Sequence, residues 1–326
     1  IIGQTMSFSG IDAPMNWKDN PSGTPPVDGA GFIQLGNVDA ESGQLLGLEI
    51  YFDQLAIMSR YSTQIWEVDA DPLNNNLRQT LRNAGTIAPR SLKQYGSGDV
   101  LFLHDSGIRS LRAKDSSNAA AVSDIGSPLD PIIRTLIKTR PDDDYVNNAF
   151  SLIEPNTGRF WLCFRDRIFI LSFYPGPKVT AWSEYDPGMT LDDGVIARGQ
   201  VVLRSGDALY AYGGVTGSEY DSCKVEVVTP YMDVDKPANS KQFTGIDMAA
   251  WTESGVWEVR AGYDPNKPDA TDLSTTLSEP SFDEGALGLE GTSTHICLHI
   301  THEAPGAAML SSVAVHYRSR QGEKAN

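Results

Sequence analysis

Leu55-Ala56-Ile57-Met58-Ser59-Arg60-Tyr61-Ser62-Thr63-Gln64-Ile65-Trp66-Glu67-Val68 is two short apolar runs about one turn apart, the pattern of a β-hairpin. The shape returns in Asp99-Val100-Leu101-Phe102-Leu103-His104-Asp105-Ser106-Gly107-Ile108-Arg109-Ser110-Leu111-Arg112, where a small polar turn again precedes a run beginning with Ile. Phe160 to Leu171 and Val201 to Tyr212 repeat the grammar. Four copies at intervals of roughly 40 to 60 residues define a repeat architecture. The runs are nearly continuous in apolar residues, as expected where the inner strands of a blade are covered on both faces by neighbouring blades. They predict an all-β fold built as a β-propeller, which leaves only short protected edges. A stack of hairpins in a sandwich or an open meander is the competing arrangement, and its strands would alternate more cleanly.

Gln64-Ile65-Trp66 followed by Asp69 to Pro72, then Asn83-Ala84-Gly85-Thr86-Ile87-Ala88-Pro89-Arg90-Ser91, Asp99 to Leu103 and Gly107 to Leu111 resemble the propeller core of podovirus tail proteins. These are the tail nozzle and head-to-tail stabilisation proteins, also called tail tubular protein B. The resemblance is densest from about Gly47 to Tyr212; Thr229-Pro230-Tyr231, Lys241 to Asp247 and Val315-His316-Tyr317 add weak matches. It implies a non-enzymatic structural component of a short-tailed phage, a homohexameric ring stacked beneath the portal and adaptor. Such a ring forms part of the DNA-ejection channel and lets genomic DNA pass without sequence-specific binding. The expected location is the virion tail, with assembly in the host cytoplasm. Proteins of this family are often longer, and a first residue of Ile suggests a trimmed chain.

At 326 residues the chain can bury a full core and hold one or two domains. No apolar run approaches the roughly 18 to 20 residues that cross a bilayer, and the N-terminus lacks a signal-like segment, so a soluble protein is expected. The formal charge of −16 argues against a nucleic-acid-binding surface, whose affinity comes from Lys and Arg. An acidic wall would instead repel phosphate in a DNA conduit, although most of the carboxylates need do no more than keep the surface soluble. Cys163, Cys223 and Cys297 are far apart and imply no disulfide framework; Cys163 and Cys297 read as small core residues, as suits a reducing cytoplasm.

Two domains are expected, a propeller over 1–222 and an antiparallel β-sandwich-like domain over 223–326, the latter alternatively supplying final blades of one larger propeller. Short strands are expected at Met6 to Phe8 and Gly31 to Leu35, with the first strands completing the last blade. Leu73, Leu77 and Leu81 share one helical face and predict a short helical turn over 73–83. Pro131 at a permitted first position and the stripe Ile132, Ile133, Leu136, Ile137 predict a helix over 130–139, packed in the core or at a subunit contact. Asp142-Asp143-Asp144 reads as a solvated loop and Asp192-Asp193-Gly194 as a turn, because neither has the ligand spacing of a calcium loop.

No catalytic, cofactor or metal residues are assigned. His295, Cys297 and His299 would share a strand face, but at ~3.4 Å per residue the two histidines stand about 13 Å apart, and His302 points the other way. A zinc site there would need ligands from elsewhere. The sequence has neither a Gly-x-Ser-x-Gly elbow nor a phosphate-cradling glycine loop. A carbohydrate-binding or glycoside-hydrolysing propeller is the alternative. It would need carboxylates about 5 to 10 Å apart, with Asp53, Asp99, Asp166 and Asp207 as candidates and Trp66, Trp161 and Trp182 as sugar platforms. Turn formation and core packing account for the same residues at less cost.

Overall fold

The computed structural model describes residues 3–24, 26–37, 43–69, 71, 74–113, 120–140, 143–174, 179–219, 223–234, 237–267, 271–279 and 287–319. The chain divides into two compact units, Ile1–Tyr212 and Gly213–Asn326. Both units are built almost wholly of antiparallel strands.

The first unit opens with a two-stranded sheet, β1 (Thr5–Phe8) and β2 (Gly31–Gln34). Four meander sheets follow. The first is β3 (Leu45–Tyr51), β4 (Gln54–Ser59), β5 (Ser62–Glu67) and β6 (Asn76–Arg82). The second is β7 (Lys93–Tyr95), β8 (Asp99–His104), β9 (Gly107–Ala113) and β10 (Ala120–Asp124). Helices α1 (Asp130–Thr139) and α2 (Asp143–Asn147) lead to the third, β11 (Phe150–Ile153), β12 (Phe160–Cys163), β13 (Ile168–Tyr174) and β14 (Val179–Tyr185). The fourth has three strands, β15 (Asp193–Ala197), β16 (Gln200–Ser205) and β17 (Ala208–Ala211).

Successive sheets pack face to face as blades. On β8, Val100 and Phe102 enter the core shared with the first sheet, while Leu101 and Leu103 enter the core shared with the third. On β12, Phe160 and Leu162 face back to the second sheet, and Trp161 and Cys163 face forward to the fourth. A strand buried on both faces needs apolar residues at every position, which is why these runs do not alternate. The repeated hairpins are the second and third strands of each blade rather than the innermost ones. The innermost strands are the first: β3 lies against β7, β7 against β11 and β11 against β15. Among them β7, Lys93-Gln94-Tyr95, escapes the sequence pattern because it is short and polar.

Several expectations need correction. The first strands do not complete the last blade; β1 pairs with β2, and Met6, Ile33 and Leu35 cover the outer face of the first sheet against Ile57 and Trp66. Residues 76–82 form the edge strand β6, paired with β5, and Leu73 lies outside the described residues. Leucines four apart share a strand face as readily as a helix face, because four is a multiple of the strand period of two. Asp143 and Asp144 begin α2, and Asp142 lies outside the described residues. Asp193 and Gly194 belong to β15, where the missing side chain of Gly194 leaves room for Phe150 and Leu152 of the third sheet.

Helix α1 spans the expected residues, with Pro131 in its first turn and Ile133 and Leu136 in the core between the second and third sheets. The segment 84–88 crosses from the first sheet to the second. Thr86 N donates to Ser59 O at 2.9 Å, and Ile87 N and Thr86 Oγ1 donate to Leu103 O at 3.0 and 2.9 Å.

The second unit has two sheets. One comprises β18 (Cys223–Val228), β20 (Trp257–Gly262), β21 (Thr271–Leu277) and β23 (Cys297–Ala304), in the order β18-β23-β20-β21. The other orders β22 (Leu287–Ser293), β19 (Lys241–Thr252) and β24 (Ala308–Ser319) as β22-β19-β24. Phe243, Ile246 and Met248 of one sheet share a core with Trp257, Val259, Leu298 and Ile300 of the other, so this unit is a sandwich with its own interior.

A Cβ on Gly85 would lie 2.3 Å from the carbonyl carbon and oxygen of Arg60 and 2.4 Å from Ser59 O. Backbone atoms must shift to admit it. Gly85→Ala is therefore expected to destabilise the first unit by about 2 kcal/mol, measured by urea denaturation followed by tryptophan fluorescence.

Candidate functional site

Two polar clusters gather where α1 and α2 meet the hairpin turns of the second and third sheets. Arg109 donates to both carboxylate oxygens of Asp130 at 3.0 and 2.9 Å, to Asp124 at 2.9 Å, and to the carbonyl and hydroxyl of Ser106 at 3.2 and 2.9 Å. Both Arg109 and Asp130 are largely buried, and the hydrogen bond to Asp130, opposed by burial, raises the guanidinium pKa further. Gly107, at φ +135°, passes so close that a Cβ would lie 1.8 Å from Asp130 Oδ1. The cluster fastens the start of α1 to the β8–β9 turn.

Asp166, in the β12–β13 turn, accepts from Tyr145 of α2, from Arg140 at 2.6 Å and from Arg167 at 3.3 Å, and Arg140 lies over the Tyr145 ring at 4.6 Å. Burial and the bond to Asp166 push the Tyr145 phenol up. Burial would raise the Asp166 carboxyl, but hydrogen bonds from Tyr145 and Arg167 and the two nearby guanidinium charges hold it below its usual range. Glu154 turns inward from the β11–β12 connection and accepts from Thr157 Oγ1 and from the amides of Asn156 and Thr157 at 2.8 and 2.9 Å. Burial works to raise its pKa; those bonds and Arg159 outweigh it and lower it.

Arg90 joins the second sheet to the fourth. It pairs with Asp193 and lies over the Phe150 ring at 5.3 Å. Each of these clusters ties one element to another.

The four candidate aspartates do not converge. Asp53 and Asp99 lie at connections from first to second strands, Asp166 and Asp207 at connections from second to third, which is the other end of the meander. Asp99 is paired with Arg112 at 2.9 Å. Trp66 and Trp161 are buried, and the Trp182 indole donates to Ile125 O at 2.9 Å. In the second unit, His295 bonds Thr294 Oγ1 at 2.8 Å and His299 pairs with Glu226. His302 is buried against Trp257 and bonds Thr252 Oγ1 at 2.8 Å. Cys297 Sγ donates to Thr229 O at 3.1 Å. Among the described residues no group of three or more His, Cys, Asp or Glu is placed to hold a metal ion. No described helix is long and apolar enough to cross a membrane.

What the sheet packing leaves unsatisfied is apolar surface. On the fourth sheet Val201 and Leu203 enter the core with the third, whereas the opposite face, carrying Val195, Val202, Leu209 and Ala211, meets no other sheet of the first unit among the described residues. Val195 is 58% exposed and Leu209 72%. At the other end, Phe32 of β2 points away from the first sheet and is 70% exposed, and Leu48 and Ile50 of β3 stand beyond the cover of β1 and β2. Sequence reading missed both faces, since Val201-Val202-Leu203 has the composition of a strand covered on both sides.

These features define the class, an array of propeller-type blades joined to a two-sheet β unit. No protein-family model matches the chain, and no curated protein does. Among solved structures it is similar to an extracellular domain from B. thetaiotaomicron assigned to a one-component system, at 11% identity and a TM-score of 0.33, over 71% of this chain and 35% of that one. It is also similar to a protein from Lactobacillus plantarum at 11% identity and a TM-score of 0.37, over 92% of this chain and 99% of that one. The chain thus spans about a third of the length of the first. Likeness at this level carries no inference about function.

Two predictions follow from the buried polar groups. Arg109→Met leaves the largely buried Asp130 carboxylate only the longer contact to Arg134 at 3.4 Å, and is expected to cost about 3 kcal/mol in chemical denaturation, while adding Asp130→Leu recovers part of the loss. Because the Glu154 pKa is lower folded than unfolded, its contribution is complete above the unfolded value of about 4.3 and is lost as pH falls through the folded value. Glu154→Gln should accordingly shrink the drop in Tm between about pH 5 and pH 3, measured by calorimetry.

Proposed function

We propose that this chain is a structural, ring-forming component of a short-tailed phage tail, a nozzle or head-to-tail stabilisation protein forming part of the DNA-ejection channel, and not a catalyst. The observation that carries the assembly reading is the pair of uncovered apolar faces at the two ends of the blade array, since exposed apolar patches mark interaction surfaces. The resemblance over Gly47 to Tyr212 supplies the context: a hexamer beneath the portal and adaptor, made in the host cytoplasm and carried in the virion. The charge of −16 suits a wall along which DNA slides without being held. Supporting the same reading, the polar clusters of the first unit are engaged in fastening helices and turns, and the tryptophans named for sugar binding are engaged in packing.

The test is native mass across a concentration series, alone and with portal and adaptor, with electron micrographs of the dominant species. The expected result is a closed ring of about six copies with a central hole. A strict monomer that also fails to join the portal complex would contradict the proposal.

A further inference from the structure

We infer that the outer face of the fourth sheet is the docking surface for the opposite end of the blade array in a second copy of this chain, its β1–β2 end. The inference rests on the ring-forming reading and names the contact that builds the ring.

The first argument is continuity. Inside the first unit the same interface recurs between the first and second, second and third, and third and fourth sheets, each time with apolar residues of one sheet against those of the next. The fourth sheet carries the side chains for one more such contact. Val195, Val202 and Ala211 are direct cross-strand neighbours, and Leu209 lies in the adjoining row opposite Arg204. This face therefore has the construction of an interior blade face without its cover.

The second argument is that the array has a matching open end. Phe32, Leu48 and Ile50 are exposed there, and so is Trp17 in the β1–β2 connection. An end-to-end contact buries one apolar face against the other, as each internal contact does. Two different faces meeting make a heterologous interface, which propagates from copy to copy and closes into a ring when the rotation between copies divides a full turn.

Charge agrees with the pairing. Exposed Arg198 and Arg204 at the fourth sheet make no ion pair among the described residues, and Asp193 beside them is held by Arg90 and Asp192 by the Gly206 amide; Asp207 is the remaining carboxylate. The β1–β2 connection carries exposed Asp12, Asp19 and Asp28 against the single Lys18. Opposite charge across a contact sets partner and register.

Leu209→Glu and Phe32→Glu change exposed side chains, one at each end, so both variants should melt like the parent. Each is expected to raise the concentration needed for assembly about a hundredfold in sedimentation velocity. An equimolar mixture of the two retains one sound contact, between the fourth sheet of the Phe32→Glu chain and the β1–β2 end of the Leu209→Glu chain. The mixture should form dimers and stop there. Rings that assemble from either variant as readily as from the parent would overturn this contact while leaving the ring reading intact. A parent chain that is monomeric throughout and does not join the portal complex would overturn both.

Discussion

The first three meander sheets of the first unit rely on their neighbours to bury their second and third strands. Phe102 and Leu103 are consecutive, yet one is buried against the first sheet and the other against the third. No blade is stable alone, since half of its apolar side chains lie on each face, and at roughly 25 cal/mol per Å² leaving one face wet forfeits several kcal/mol. The constraint extends to the axis, where first strands lie directly against one another and Gly194 supplies the clearance for Phe150 and Leu152. It also explains the fourth sheet, which meets half of the requirement and leaves the other half open.

The polar groups act within that frame. Arg109 with Asp130, and Asp166 with Tyr145 and Arg140, hold two helices over the edge between the second and third sheets; Glu154 closes the β11–β12 connection; Arg90 reaches across to β15. Arg109, Asp130 and Glu154 are largely buried and satisfied by their partners, and their removal would be felt as lost stability, whereas the half-exposed Asp166–Arg140 and Arg90–Asp193 pairs contribute less. In the sandwich unit, His302 and Lys241 are likewise buried with hydrogen-bond partners, Lys241 Nζ donating to the carbonyls of Asn239 and Thr294 at 3.1 and 2.9 Å.

Much of the fold was legible because burial on both faces writes uninterrupted apolar runs, as at Val100 to Leu103 and Phe160 to Phe164. Helix α1 was legible from Pro131 and its stripe. Strand β7 was not: Lys93-Gln94-Tyr95 is three residues without an apolar pattern, and its place at the axis comes from long-range packing. Strand β6 was misread because Leu77 and Leu81 fit two periods at once, and β15 because Asp192-Asp193-Gly194 carries turn residues that here open a strand. The separation of Asp53 and Asp99 from Asp166 and Asp207 depends on strand direction, which composition does not encode. The uncovered face was illegible for a subtler reason. Its residues have the composition of covered ones, and only the missing neighbour distinguishes it.

That face links fold to proposed role, because an array of blades with two apolar ends has a built-in direction of assembly. The most direct test is peptide-resolved hydrogen exchange of the purified chain at dilute and concentrated conditions. The account predicts slow exchange at both concentrations for 100–103 and 160–163, whose strands are covered on both faces. It predicts that the edge strands of the fourth sheet, 195–197 and 208–211, exchange faster when dilute than when concentrated, while the central strand 201–203 is protected at both. Exchange of 195–197 and 208–211 that does not change with concentration would contradict it, since no second copy would then be covering that face.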